Sequence, residues 1–211
     1  MLRTPTLTIA LLTMTAATPL LCRAESNLQS AASPLTATAH VDFQITIPKF
    51  IFLRVGTGTG TAAGGAGVNG TIDLISWAPA PATVGNGVAL AGTGGDLTGG
   101  VETAVVIANH GNVTLSSTTP GKLSDGAGDT ISYTTIKTTA TKLTTNQVLP
   151  APALADGATS TIVIGGMGKG KIVRRDAKWA YTYTNATVPP PGIYGGVNAN
   201  NGRVTYTASV P

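Results

Sequence analysis

Residues 35–47 read LTATAHVDFQITI, with Leu35, Ala37, Ala39, Val41, Phe43, Ile45 and Ile47 on one side of a two-residue alternation and Thr36, Thr38, His40, Asp42, Gln44 and Thr46 on the other. Successive side chains of a strand point to opposite faces, so this pattern predicts a half-buried β-strand with an apolar inner face. Pro48 supplies no ladder donor, and it ends or bends that strand before Phe50, Phe52 and Val55 resume. Seven β-branched stretches follow, at residues 71–77, 101–108, 112–117, 130–136, 159–164, 178–184 and 203–210, with a turn at 109–112. Their spacing is that of an antiparallel sandwich or barrel, and beyond the N-terminus no capped pattern of helical period occurs. The expected fold is all-β: an antiparallel two-sheet sandwich whose core includes Val41, Phe43, Ile45, Trp179, Tyr181, Val204 and Tyr206.

Composition agrees. Thr, Ala and Gly supply 91 of the 211 residues and charged residues only 10%, which excludes a coiled coil and a charge-rich disordered tail. Seven glycines fall between positions 56 and 70 and seven more between 85 and 100, so both stretches read as long Gly-rich loops. No internal repeat of fixed period is present, which disfavours solenoids and propellers.

The N-terminus reads as an export signal: Arg3, then an uncharged apolar stretch to Leu21, then Cys22-Arg23-Ala24 with small residues where a signal peptidase cuts. The stretch is too short to span a bilayer, and lipidation at Cys22 is disfavoured by the bulky Leu21 before it. The expected organisation is a signal peptide at 1–24, a flexible lead-in at 25–34 and one β-sandwich domain at 35–211, exported to the periplasm, cell surface or medium. Cleavage after Ala24 removes the only cysteine and lowers the net charge from +4 to +2, so neither thiol chemistry nor a strong case for nucleic acid survives.

No motif fixes a reaction. Residues 165–171 imitate the start of a phosphate-binding loop, but Ile172 stands where a magnesium-holding Ser or Thr belongs and a strand pattern follows where a helix is needed. Asp125 and Asp129 offer too few carboxylates for calcium and read as a hydrated turn. His40 and His110 lie in no nucleophile motif, and the scattered acids give no preferred pair for glycoside hydrolysis. The chain is therefore expected to be non-enzymatic and without cofactor, metal or nucleotide. Lys169, Lys171, Arg174, Arg175 and Lys178 form a basic patch that reads as an edge guard or as a contact for anionic polysaccharide. Trp179, Tyr181 and Tyr183 alternate beside it, as a core stripe or a surface for sugar.

The last ten residues, GRVTYTASVP, place Val204, Tyr206, Ala208 and Val210 on one face of a strand that closes the chain. With the early alternating strand behind a small polar lead-in, this resembles bacterial fimbrial subunits of the chaperone–usher type. The resemblance implies a pilin-like, incomplete immunoglobulin-type sandwich completed by strand addition, first from a periplasmic chaperone and then from another copy of the chain. On that reading Val41, Phe43, Ile45 and Ile47 and Val204, Tyr206, Ala208 and Val210 are the strand-pairing residues. Many such subunits carry a disulfide, which a chain beginning at Glu25 lacks. The expected function is an exported structural or adhesive surface subunit; a monomeric carbohydrate-binding module is the alternative, ahead of a secreted hydrolase.

Overall fold

β5 (Val101–Ala108, VETAVVIA) is apolar on both of its faces after Thr103, and it takes the place such a strand requires, between two neighbours. A computed structural model describes residues 26–58, 70–144, 147–168 and 171–211; the expected signal peptide, Lys169 and most of the first Gly-rich loop lie outside the described residues. The other strands are β1 (Ile51–Val55), β2 (Ile75–Ser76), β3 (Leu90–Ala91), β4 (Thr93–Gly94), β6 (Val113–Thr118), β7 (Leu123–Ser124), β8 (Thr130–Ile131), β9 (Ile136–Thr141), β10 (Thr159–Ile164), β11 (Val173–Tyr183) and β12 (Thr205–Ser209). Every ladder among these strands is antiparallel, and helix is confined to two single 3₁₀ turns, so the described chain is all-β.

The larger sheet runs β1-β5-β11, with β9 on the far side of β11 and β3 taking over where β5 leaves it. The second sheet runs β10-β6-β12, and β2–β4 and β7–β8 form short ribbons. β5 and β6 pair in different sheets, so the expected turn at 109–112 carries the chain from one sheet to the other and closes no hairpin. Asn109 anchors that crossing: its Oδ1 accepts the Phe50 N–H at 2.9 Å and its Nδ2 donates to the Pro48 carbonyl at 2.8 Å, so one side chain satisfies the backbone on both sides of Lys49 just before β1.

The inward residues of both sheets meet in one cluster that includes Ala104, Val106, Val113, Leu115, Leu149, Ile164, Val173, Ala177, Trp179 and Tyr181. Fully burying a side chain of the Val, Leu or Ile kind contributes about 1.5–3 kcal/mol, so these positions hold the sheets together. Trp179 is its largest member; its indole N–H is satisfied by the Leu149 carbonyl at 2.8 Å, and its ring lies 5.2 Å from that of Tyr206.

Two expectations fail. Residues 26–47 contain no strand, and the chain divides into two units between Ile47 and Pro48. Val41, Phe43 and Ile45, expected in the core, are 74%, 90% and 86% exposed. An alternating pattern states what a strand could bury; burial itself needs a ladder partner, and no described strand pairs with these residues.

Candidate functional site

The backbone of β12 forms a ladder with β6, and its other edge has no ladder partner among the described residues. It runs close to β1 of the larger sheet, yet no ladder joins the two. Leu53 and Val55 on β1 and Val204, Tyr206, Ala208 and Val210 on and beside β12 are packed against the core but only partly buried. The margin between β1 and β12 thus exposes unpaired backbone beside half-covered apolar side chains, which is the physical requirement for receiving an added strand.

The described chain also carries a segment with the complementary pattern. Val41, Phe43 and Ile45 are the exposed side chains named above, Ile47 is 75% exposed, and no residue from 34 to 47 belongs to a strand. The eight expected strand-pairing residues therefore fall into an unpaired apolar row at 41–47 and a half-buried row on β12.

The basic patch is not one surface. Lys171 precedes β11; Arg174 and Lys178 point to its outer side with the buried Asp176 between them, while Arg175 alternates to the opposite side and donates to the Gly165 carbonyl at 3.2 Å. Asp176 is held by the amide and hydroxyl of Thr144, so a carboxylate interrupts the cationic row. Trp179, Tyr181 and Tyr183 are all buried, which settles the aromatic stripe as core.

The remaining motifs become turns. Met167 and Ile172 bond each other's backbone in both directions, and Ile172 leads straight into β11. Asp125 turns one carboxylate oxygen onto the N–H groups of Ala127, Gly128 and Asp129 at 2.8–3.1 Å, and these bonds draw its pKa down. His40 is exposed, and His110 lies in the crossing turn.

One cluster was not anticipated. At the end of β1, Thr57 donates its amide and, at 2.7 Å, its hydroxyl to Asp73, whose carboxyl hydrogen-bonds to that of Glu102 on β5. Asp96 closes the corner: its amide reaches Glu102 Oε2 at 3.5 Å, and its own Oδ1 accepts the Thr103 N–H at 2.7 Å. Glu102 is 4% exposed. Burial, then the Asp73 charge, push its pKa up to about 8, whereas at Asp73 burial is outweighed by the bonds from Thr57 and Glu102 together, which hold that carboxyl below its ordinary value. The sequence signal was the one carboxylate in an otherwise uncharged, largely apolar strand, a residue type almost never buried without a partner. Among the described residues no group of three or more His, Cys, Asp or Glu side chains is arranged to hold a metal ion.

No protein-family model, curated protein or solved structure matches the chain.

Proposed function

We propose that this chain is an exported structural or adhesive surface subunit with an incomplete, immunoglobulin-like sandwich, and that it assembles by strand addition between copies: residues 35–47 of one copy pair along the open edge of β12 of another. The observation that carries the reading is the exposed row Val41, Phe43, Ile45 and Ile47, spaced by two in a segment without a strand. Paired at an edge, that row would turn inward as a unit, because the side-chain period of a strand is two. The β12 edge suits it: Thr205–Ser209 carries no charge, and its inward side chains are still partly uncovered. The pilin-like resemblance points the same way. The rival carbohydrate module loses its aromatic platform, since those rings are in the core.

Engineered cysteines test this cleanly in a chain whose only cysteine is Cys22. Chains carrying Ile45→Cys, mixed with chains carrying Ala208→Cys and oxidised, should give disulfide-linked heterodimers, and Thr46→Cys should give far fewer because it lies on the other face. Absence of cross-linking, or cross-linking indifferent to that parity, would refute strand addition at β12.

A further inference from the structure

The carboxyl cluster lies at the corner where β1 ends beside β12. Gly56, directly after β1, donates its N–H to the Thr103 carbonyl at 2.8 Å, and Thr57 is tied to Asp73. Gly56 has φ +83°, and a Cβ there would meet Glu102 Oε2 at 2.6 Å and the Asp73 carboxylate as well. Backbone therefore closes directly over the two carboxyls. On the inner side, Glu102 pairs in register with Trp179, whose ring packs on Tyr206 of β12, and the Tyr206 hydroxyl lies 3.0 Å from that of Tyr181. Both phenols feel the Glu102 charge.

Two carboxyls in hydrogen-bond contact accommodate one proton easily and two negative charges badly, because like charges at that range disfavour double ionisation. The surrounding groups give no relief. Asp73 comes from the segment before β2, Asp96 from the turn before β5, Tyr181 from β11 and Tyr206 from β12, and all are acids or neutral phenols. The cations of the adjoining strands β1 and β11 nearest in register are turned away. Arg54 on β1 opposes Val105 instead of the core row, with its guanidinium on the Gly58 carbonyl at 2.6 Å, and Lys178 opposes Thr103 on the outer side of β11.

We propose that Asp73 and Glu102 form a proton-operated clasp: the shared proton holds the Gly56–Thr57 corner against β5, and loss of that proton to solvent releases the corner and opens one end of the β1–β12 margin to an incoming strand. The clasp stands on the cluster's geometry, and its effect on assembly rests on the strand-addition reading. Glu102, with its pKa near 8, places the transition at mildly alkaline pH, closed below and open above.

The test uses the full chain and the variant Glu102→Gln, which keeps a neutral hydrogen-bonding group that cannot ionise; Asp73→Asn serves as a second variant that removes the neighbouring charge. The amides of Gly56 and Thr57 are followed by hydrogen exchange from pH 6 to 10, with the Gln variant at each pH as the reference for intrinsic exchange, and the Glu102 carboxyl is titrated by carbon NMR. Above its transition the wild type should lose protection at these amides by about tenfold per pH unit relative to Glu102→Gln, because opening is linked to one proton. Asp73→Asn should shift the Glu102 titration to lower pH. Equal protection in wild type and Glu102→Gln at pH 9.5, or a Glu102 carboxyl already ionised at pH 6, would overturn the clasp. The rate of Ile45→Cys to Ala208→Cys cross-linking, normalised to Glu102→Gln at the same pH, separates the two ideas. A wild-type rate that rises with the loss of protection supports the link to assembly. An opened corner with an unchanged normalised rate overturns that link alone, and an opened corner with no cross-linking at any pH overturns strand addition while the clasp stands.

Discussion

Deleting residues 26–47 removes the row Val41, Phe43, Ile45 and Ile47, and the structure fixes how little stability that should cost. Full burial of such a side chain is worth about 1.5–3 kcal/mol. These four retain 74–90% of their exposure, so each forfeits at most about a quarter of that amount and the four together under about 3 kcal/mol. Had they filled the core, each loss would cost about 2–5 kcal/mol and the four together would be as large as the whole stability of an ordinary domain. The truncated chain should therefore keep its far-ultraviolet β spectrum and melt cooperatively, with Tm lowered by no more than about 10 °C. A peptide of residues 35–47 should then raise its Tm. At a hundredfold excess over Kd it adds about 2.7 kcal/mol, or about 5–10 °C for a chain of this size. The same peptide with Phe43→Asp and Ile45→Asp should do nothing, because two buried charges would replace the apolar contacts. A truncated chain that is unfolded by circular dichroism, or a folded one indifferent to the native peptide, would refute the reasoning.

Trp179→Ala should cost about 3–5 kcal/mol in urea unfolding, against under about 1 kcal/mol for Phe43→Ala, since the first ring is fully buried and the second almost fully exposed. Asn185 is buried, accepts the Gly85 N–H at 2.9 Å and donates to the Thr83 carbonyl and the Asn86 side chain at 2.8 and 3.0 Å; Asn185→Ala leaves the Gly85 N–H without its acceptor and removes one donor from each of the other two groups, and should lower stability by about 2 kcal/mol by the same assay. Gly100 has φ +72° and a Cβ there would lie 2.6 Å from the Gly92 Cα, so Gly100→Ala should lower Tm measurably, whereas Gly165→Ala, with open space around it, should not. The folded pKa of Glu102 is raised from 4.5 to about 8, so its stabilisation is complete below 4.5 and lost as pH rises through 8; urea midpoints should fall across that window in the wild type and stay flatter in Glu102→Gln.

The strands with uninterrupted character were legible. β5 and β10 have the bounds their β-branched runs predict, and β6 and β12 differ by a residue or two at their ends. β11 begins five residues before its expected start because Arg174, Arg175 and Asp176 look like loop, while in the fold Asp176 is satisfied by Thr144 and the Leu149 N–H binds its carbonyl. The expected strand at 130–136 is broken, since Ser132 accepts the Thr134 N–H and starts a 3₁₀ turn before β9. At 71–77 only Ile75 and Ser76 pair, their partner β4 being two residues long. The alternation at 41–47 is plain in the sequence, but the strand and the burial expected from it are absent, because alternation is a local property and the identity of a strand's partner is not. Glu102 escaped for the same reason: its meaning depends on Asp73, 29 residues away in sequence.

The distribution of polar groups on the second sheet says which way such a chain can associate. Its three strands contain no charged residue. In register, the outer face sets Thr159 and Thr205 either side of Thr118, Thr161 and Thr207 either side of Ser116, and Val163 and Ser209 either side of Thr114. Eight of these nine side chains carry hydroxyls, so water covers the face without charge and gives another apolar surface little to grip. The edges lack even that protection, because side-chain hydroxyls leave the outward N–H and C=O groups of an end strand unpaired. β10 and β12 are equal in this respect, but only β12 adjoins a second sheet's margin with half-covered apolar side chains on both sides. A strand added at β10 would gain ladder bonds and little more than cover for Ile162; one added at β12 would gain ladder bonds and the burial of half-covered side chains on two margins. Since a typical hydrogen bond nets only about 0.5–1.5 kcal/mol while a buried large apolar side chain contributes about 1.5–3, the difference in burial should select the β12 edge.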